Sequence, residues 1–240
     1  MNLSMRTSNS TFNVLTLVLF AIFLSSHSVL AQASRDQKSN SQTEGKASIL
    51  SHFVQHGLSQ TNKDPSLQTS LYMSVGPQFR IGLWGSNVSY EGLDNHILIK
   101  IPVELKLEFN KDVNLTIAYS RNQYYKSHIR DGNTTTLQLN VFDYLIIHEL
   151  ESNWEGTETK SKYFAFNKSF KLSTGFTWEN QLGYTVLSVE NLQNYFDLMT
   201  AIAGKSNNLT YKFSVTATST PSQFNGSGDV FGILSVGFGF

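Results

Sequence analysis

The chain has 240 residues, of which 40% are hydrophobic, 12% aromatic and only 15% charged, with a formal net charge of +0 and no cysteine. A neutral chain lacks the basic footprint of a nucleic-acid binder. The missing thiols exclude a disulfide scaffold, a cysteine-ligated metal and a thiol nucleophile.

The amino terminus reads as a targeting sequence. Arg6 precedes an apolar run from Phe12 to Leu24, and the polar stretch SSHSVLA follows, with Val29 and Ala31 at the small-residue positions of a signal-peptidase site. The run is shorter than the roughly 20 residues a helix needs to cross a bilayer. The expected organisation is therefore a cleaved signal peptide over residues 1–31 and a flexible polar lead over 32–46 (QASRDQKSNSQTEGK). One domain follows over 47–240.

From there the pattern has period two. Ile97, Ile99, Ile101, Val103, Leu105, Leu107 and Phe109 share one face of a strand, and Lys100, Pro102, Glu104, Lys106 and Glu108 share the other. Similar alternation runs through Val113–Ser120, Phe176–Thr185 and Leu209–Thr218. About twelve strands are expected, near 47–57, 66–75, 78–90, 95–109, 112–124, 134–142, 145–154, 159–172, 175–188, 193–204, 208–219 and 229–240. Only Asp143-Tyr144 offers a turn between the sixth and seventh, whose fusion would make the count odd. Short turns at Gly76-Pro77, Asn110-Lys111-Asp112 and 204–208 alternate with long polar connections such as GLSQTNKDP and STPSQFNGSG. That alternation suits a barrel meeting periplasm on one side and the exterior on the other. The fold expected is all-β, a transmembrane antiparallel up-and-down β-barrel, with a soluble β-sandwich as the alternative. Pro102 lies mid-strand, and a bulge is expected there.

The final strand places Val230, Gly232, Leu234, Val236, Phe238 and Phe240 on one face. An amphipathic last strand ending in Phe resembles the outer-membrane sorting signal. That resemblance implies recognition of Phe238 and Phe240 by the barrel assembly machinery.

The segment SILSHFVQHGLSQTNKDPSLQTSLYMSVGPQFRIGLWGSNVSY carries Gly57, Ser59, Gln60 and Thr61, then Pro65, then Trp84, Gly85, Ser86, Asn87 and Val88. It resembles the opening of the TorF-type porin family of proteobacterial outer-membrane β-barrels, and YFDLMTAIAGKSNNLTYKFSVTATST is similar to that family's penultimate hairpin. The chain departs from the pattern at His56, where the family tends to carry Arg. It departs again at KIPVELKLEF, which replaces a Tyr- and Gly-rich strand. The resemblance implies a pore in the outer membrane of a Gram-negative bacterium and names no substrate.

If the polar faces point inward, the lumen-lining residues are Arg80, Lys100, Glu104, Lys106, Glu108, Glu179, Asp197, Lys212 and Asp229. So mixed a set can either polarise a narrow pore or pair internally and close it. His52 and His56 would share a strand face about 13 Å apart, too far for one metal ion. No nucleophile elbow or phosphate-binding loop is present, so neither a cofactor nor an enzyme activity is expected. Two functions stay open: a passive pore for small polar solutes or ions, lying in outer-membrane lipid, and a plugged barrel. The plugged barrel would bind a partner through loops such as 124–133 and 219–228.

Overall fold

A computed structural model describes residues 42–240. The expected signal peptide, its cleavage point after Ala31 and the lead as far as Ser41 lie outside the described residues. The elements are β1 (Gln42–Leu50), the two-residue strands β2 (Val54–Gln55) and β3 (Leu58–Ser59), β4 (Ser66–Val75), β5 (Phe79–Asn87), β6 (Asn95–Asn110) and β7 (Val113–Lys126). The chain continues with β8 (Gly132–Val141), β9 (Tyr144–Glu151), β10 (Ser161–Ser173), β11 (Phe176–Leu187), β12 (Tyr195–Ser206), β13 (Leu209–Thr218) and β14 (Val230–Gly239).

Each of the strands β4 to β14 pairs antiparallel with its sequence neighbour, and β1 pairs with both β4 and β14, so the sheet closes into a barrel of twelve strands. Strands β8 and β9 are separate, joined by a tight turn in which Phe142 takes φ +54°. The carboxyl end locks the seam: Gly45 N–H donates to the Phe240 carbonyl (2.8 Å) and Phe240 N–H to that of Gly45 (2.9 Å). Gly45 is required by a close approach, because a Cβ there would sit 2.2 Å from the Phe240 ring.

Alternation decides the two faces. Leu67, Leu71, Ile81, Ile99, Ile146, Phe166, Leu182, Leu198, Phe213 and Leu234 all point outward and are exposed. A soluble monomer rarely shows an apolar patch beyond a few hundred Å², whereas this belt encircles the molecule. The face is therefore a lipid-contacting one, and no sandwich partner sheet covers it. Lys168 interrupts the belt, but its ammonium reaches back over the Tyr144 ring (3.9 Å) to Asp143 (3.4 Å) in the turn, as a snorkelling lysine does.

Packed apolar side chains gather at the loop end and not at mid-barrel. One cluster joins Phe53, Val88, Leu98 and Tyr124, and another Leu58, Trp154, Tyr195 and Phe224.

Three expectations need correction. The first strand starts at Gln42, inside the segment read as lead, and ends at Leu50. Ahead of Ile49 its outward positions Gly45 and Ala47 are too small to register as a period-two signal. Pro102 produces no bulge. The β5–β6 ladder drops two pairs between Ile81↔Val103 and Trp84↔Lys100 and resumes in the same register. Gly82 falls opposite Pro102 in that gap, so the missing N–H costs a local interruption and no extra residue. Asp229 precedes β14, among the exterior loops.

Gly82 also makes room for Tyr72, whose ring atoms lie 2.4–3.0 Å from where a Cβ would stand. Gly82→Val should therefore cost about 1–3 kcal/mol by overpacking, seen as a lower urea midpoint with an unchanged slope. An unchanged midpoint would show that Tyr72 moves aside freely.

Candidate functional site

The lumen is divided by a small hairpin. After Leu50 the chain turns inward, and β2 and β3 are joined by His56 and Gly57, both at positive φ (+49° and +76°). A two-residue turn of this hand suits a tight hairpin, and Gly57 supplies the conformation without strain. The tip reaches the opposite wall. His56 Nε2 lies 3.4 Å from Glu149 and its ring stacks on Tyr163 at 3.8 Å. Lys100 Nζ donates to Gln55 Oε1 at 3.3 Å, and Thr218 Oγ1 donates to the Gly57 carbonyl at 2.7 Å. A Cβ on Gly57 would fall 2.8 Å from both Asp197 Cβ and Thr218 Oγ1.

Around the tip the loop end of the lumen is nearly filled. A void of ≈ 10 Å³ lies beside Gln55 and His56, bounded by Lys100, Glu151, Glu155 and Tyr195. Arg130, from the β7–β8 loop, is buried there. Its guanidinium lies 3.5 Å above the Tyr90 ring and is hydrogen-bonded to Glu155. The carboxylate of Glu155 holds the Arg130 pKa above its ordinary value, against the opposing effect of burial. This cation therefore stays charged and ties the β7–β8 loop to the 3₁₀ turn at Trp154–Gly156.

The turn end is open. Three cavities of ≈ 410–470 Å³ line the lumen wall there and carry most of its charge.

The register places the sequence-derived candidates as follows. Arg80 and Glu104 are cross-strand partners, joined through Nη2 (2.7 Å) and Nε (3.0 Å), with Glu44 3.6 Å away. Lys106 and Glu108 pair along one strand at 2.7 Å. Glu179 on β11 and Lys212 on β13 meet at 2.7 Å across the alanines of β12. Asp197 is buried, accepting from Tyr163 Oη (3.3 Å) and Gln181 Nε2 (3.4 Å). Gly183 opens the space it occupies, since a Cβ there would lie 2.2 Å from Asp197 Oδ2. Asp229 stands apart at the exterior, 3.8 Å from Lys63. Phe238 and Phe240 are on the outer face, their rings stacked at 6.3 Å.

Sequence reasoning missed the inward hairpin, the half-buried Glu149 and Glu151, the buried Arg130, and the lysines Lys46, Lys171 and Lys205. The signal for the hairpin was present: Val54 and Leu58 flank a His-Gly turn. His52 and His56 do not share a strand face. His52 instead contacts Ser59 Oγ through Nε2 at 2.7 Å and meets the Phe231 ring edge-on. Among the described residues no three His, Asp or Glu side chains converge as a metal site requires.

No family model matches the sequence, and no curated protein does. Among solved structures the barrel is similar to a KdgM porin, with TM-score 0.56 at 9% identity over 82% of this chain and 99% of that one. The KdgM porin in complex with disordered oligogalacturonate gives TM-score 0.56 at 8% identity, over 82% and 98%. A NanC porin structure gives 0.50 at 7% identity, also over 82% and 98%. At these identities the likeness is one of fold: a closed twelve-stranded barrel of the same extent.

Two predictions follow from the mouth. Glu155→Gln leaves Arg130 buried without its counter-charge. The expected loss is about 1–3 kcal/mol, below the range for a fully buried pair because Glu155 is partly in water. Trypsin should then cut faster at Lys126 and Lys160, and an unchanged rate would detach Arg130 from loop anchoring. His52, in the loop after β1, has its pKa lowered from 6.5 by burial and by Lys63. Its neutral form stabilises the mouth above pH 6.5, and that contribution is lost as pH falls further. Proteolysis of the mouth should accelerate as pH falls from about 6.5 toward about 5, and His52→Gln should flatten the dependence.

Proposed function

We propose that the protein is an outer-membrane porin-like barrel through which small polar solutes or ions diffuse passively. The observation that carries this reading is the polarity of the inner wall. A closed barrel with an apolar exterior keeps inner faces of Lys, Arg, Glu, Ser and Thr in an open turn-side vestibule, which a barrel serving only as scaffold has no need to hydrate. The hairpin tip at His56–Gly57 is the constriction, and the paired charges Arg80–Glu104 and Glu179–Lys212 line the approach to it.

The finer reading is a TorF-type porin of a Gram-negative bacterium. The Gly57–Thr61 and Trp84–Val88 segments support it: the first forms the inward hairpin and its return, and the second the end of β5 and the start of the following loop. In this reading the protein is exported by a signal peptide cleaved after Ala31, and the barrel assembly machinery recognises Phe238 and Phe240. It has no enzymatic role. A second reading, a plugged barrel that binds partners through its loops, is favoured by the nearly filled loop end.

Single-channel recording on refolded protein separates the two, with heat-shifted gel migration as the folding control. The pore reading expects discrete steps. It also expects larger steps from Gly57→Val, whose side chain cannot fit against Asp197 and Thr218 and so lifts the tip. Correctly folded protein that stays silent, with Gly57→Val equally silent, would establish the plug.

A further inference from the structure

The turn-side vestibule carries charges that the ion pairs already described do not use. Two adjoining cavities, of ≈ 470 and ≈ 460 Å³, share Lys46 and Lys205; Lys171, Lys212 and Glu179 line the first, Arg80 and Glu44 the second. Arg80 is engaged by Glu104 and Glu44, and Lys212 by Glu179. Lys46, Lys171 and Lys205 make neither an ion pair nor a side-chain hydrogen bond among the described residues.

Register explains how three distant lysines face one space. Lys171 is paired with Thr177, which is paired with Ala203; Lys205 is paired with Thr210, and Thr210 with Gly237. The residues paired between the lysines, Thr177, Ala203, Thr210 and Gly237, are thus all small. Gly237 matters most here. A Cβ there would lie 2.8 Å from Ser48 Oγ and Thr210 Oγ1 and 3.1 Å from Lys46 Cε, so the missing side chain leaves room for both hydroxyls and the Lys46 stem. Three unneutralised like charges around one cavity repel each other, and low-dielectric barrel walls focus their field into the water between them.

We infer that Lys46, Lys171 and Lys205 form an anion-binding site, and that the solutes favoured are small anions bearing two or more negative charges, such as polycarboxylates or polyphosphates. The inference deepens the pore reading and rests on it for transport, though not for binding. Cavities of this size lie within the range of small-molecule sites. A single charge would neutralise one lysine; a multivalent oxyanion bridges two or three and relieves their repulsion. The site lies on the turn side of the hairpin, where a passing solute is held against one wall.

The test uses the full refolded barrel and two measurements. Tripolyphosphate is titrated into the detergent-folded protein by calorimetry. Reversal potentials are recorded in bilayers at about 0.1 M salt, where charges act over about 10 Å. The wild type should bind tripolyphosphate and prefer anions. The Lys46→Gln, Lys171→Gln, Lys205→Gln triple variant should bind at least about tenfold more weakly and shift the reversal potential toward cations. Lys162→Gln, on the outer face of β10, should change neither. No binding by the wild type, equal binding by the triple variant, or cation preference in the wild type overturns the site. Binding that depends on the three lysines in a barrel that never conducts sinks the pore reading and leaves the site standing.

Discussion

In hydrocarbon no water is available to pair an exposed backbone N–H or C=O, so a sheet can cross a membrane only by having no edge. Here the condition is met at the seam where β1 lies between β14 and β4, finished by the reciprocal bonds of Gly45 and Phe240. Everything else follows from that closure. Once the sheet is closed, the pleat sends alternate side chains to lipid and to the lumen. A one-residue slip on any strand would exchange its faces.

Twelve strands enclose a space that lumen-facing side chains such as Glu104 and Lys212 do not fill across, but one that a single hairpin spans. The protein spends its apolar packing at the loop end, where Phe53, Leu58, Trp154 and Phe224 hold the returning chain. That arrangement puts charge in poorly hydrated surroundings. Arg130 is the clearest case. It is tolerated because Glu155, the Tyr90 face and Gln60 surround it, and a buried cation without such partners would not persist. The turn end follows the opposite rule, with hydrated charges, small floor residues and little packing.

Much of this was legible in the sequence, and the boundary has physical causes. Strands such as β6 and β13 announce themselves because one face meets lipid and must be apolar along its full length. Strand β1 does not, since its outward Gly45 admits the Phe240 ring and the outward Ala47 offers only a methyl to lipid. Residues 51–57 read as the continuation of the first strand, yet they fold inward, because a local pattern cannot say whether the neighbour is lipid or the barrel's own wall. Lys46 and Lys205 escaped notice at strand ends that read as lead and turn. Their meeting with Lys171 depends on register among six strands, β10 to β14 and β1.

The class of fold and the polar face of most strands can be read from residue order alone, because a period of two is a local property imposed by the pleat. Which polar residues meet cannot, since that is settled across the closed sheet. Arg80 finds Glu104 and not a neighbour on its own strand, Glu179 reaches Lys212 across β12, and His56 crosses the lumen to Glu149. Those contacts depend on closure and register, which bring together residues separated by tens of positions in the chain.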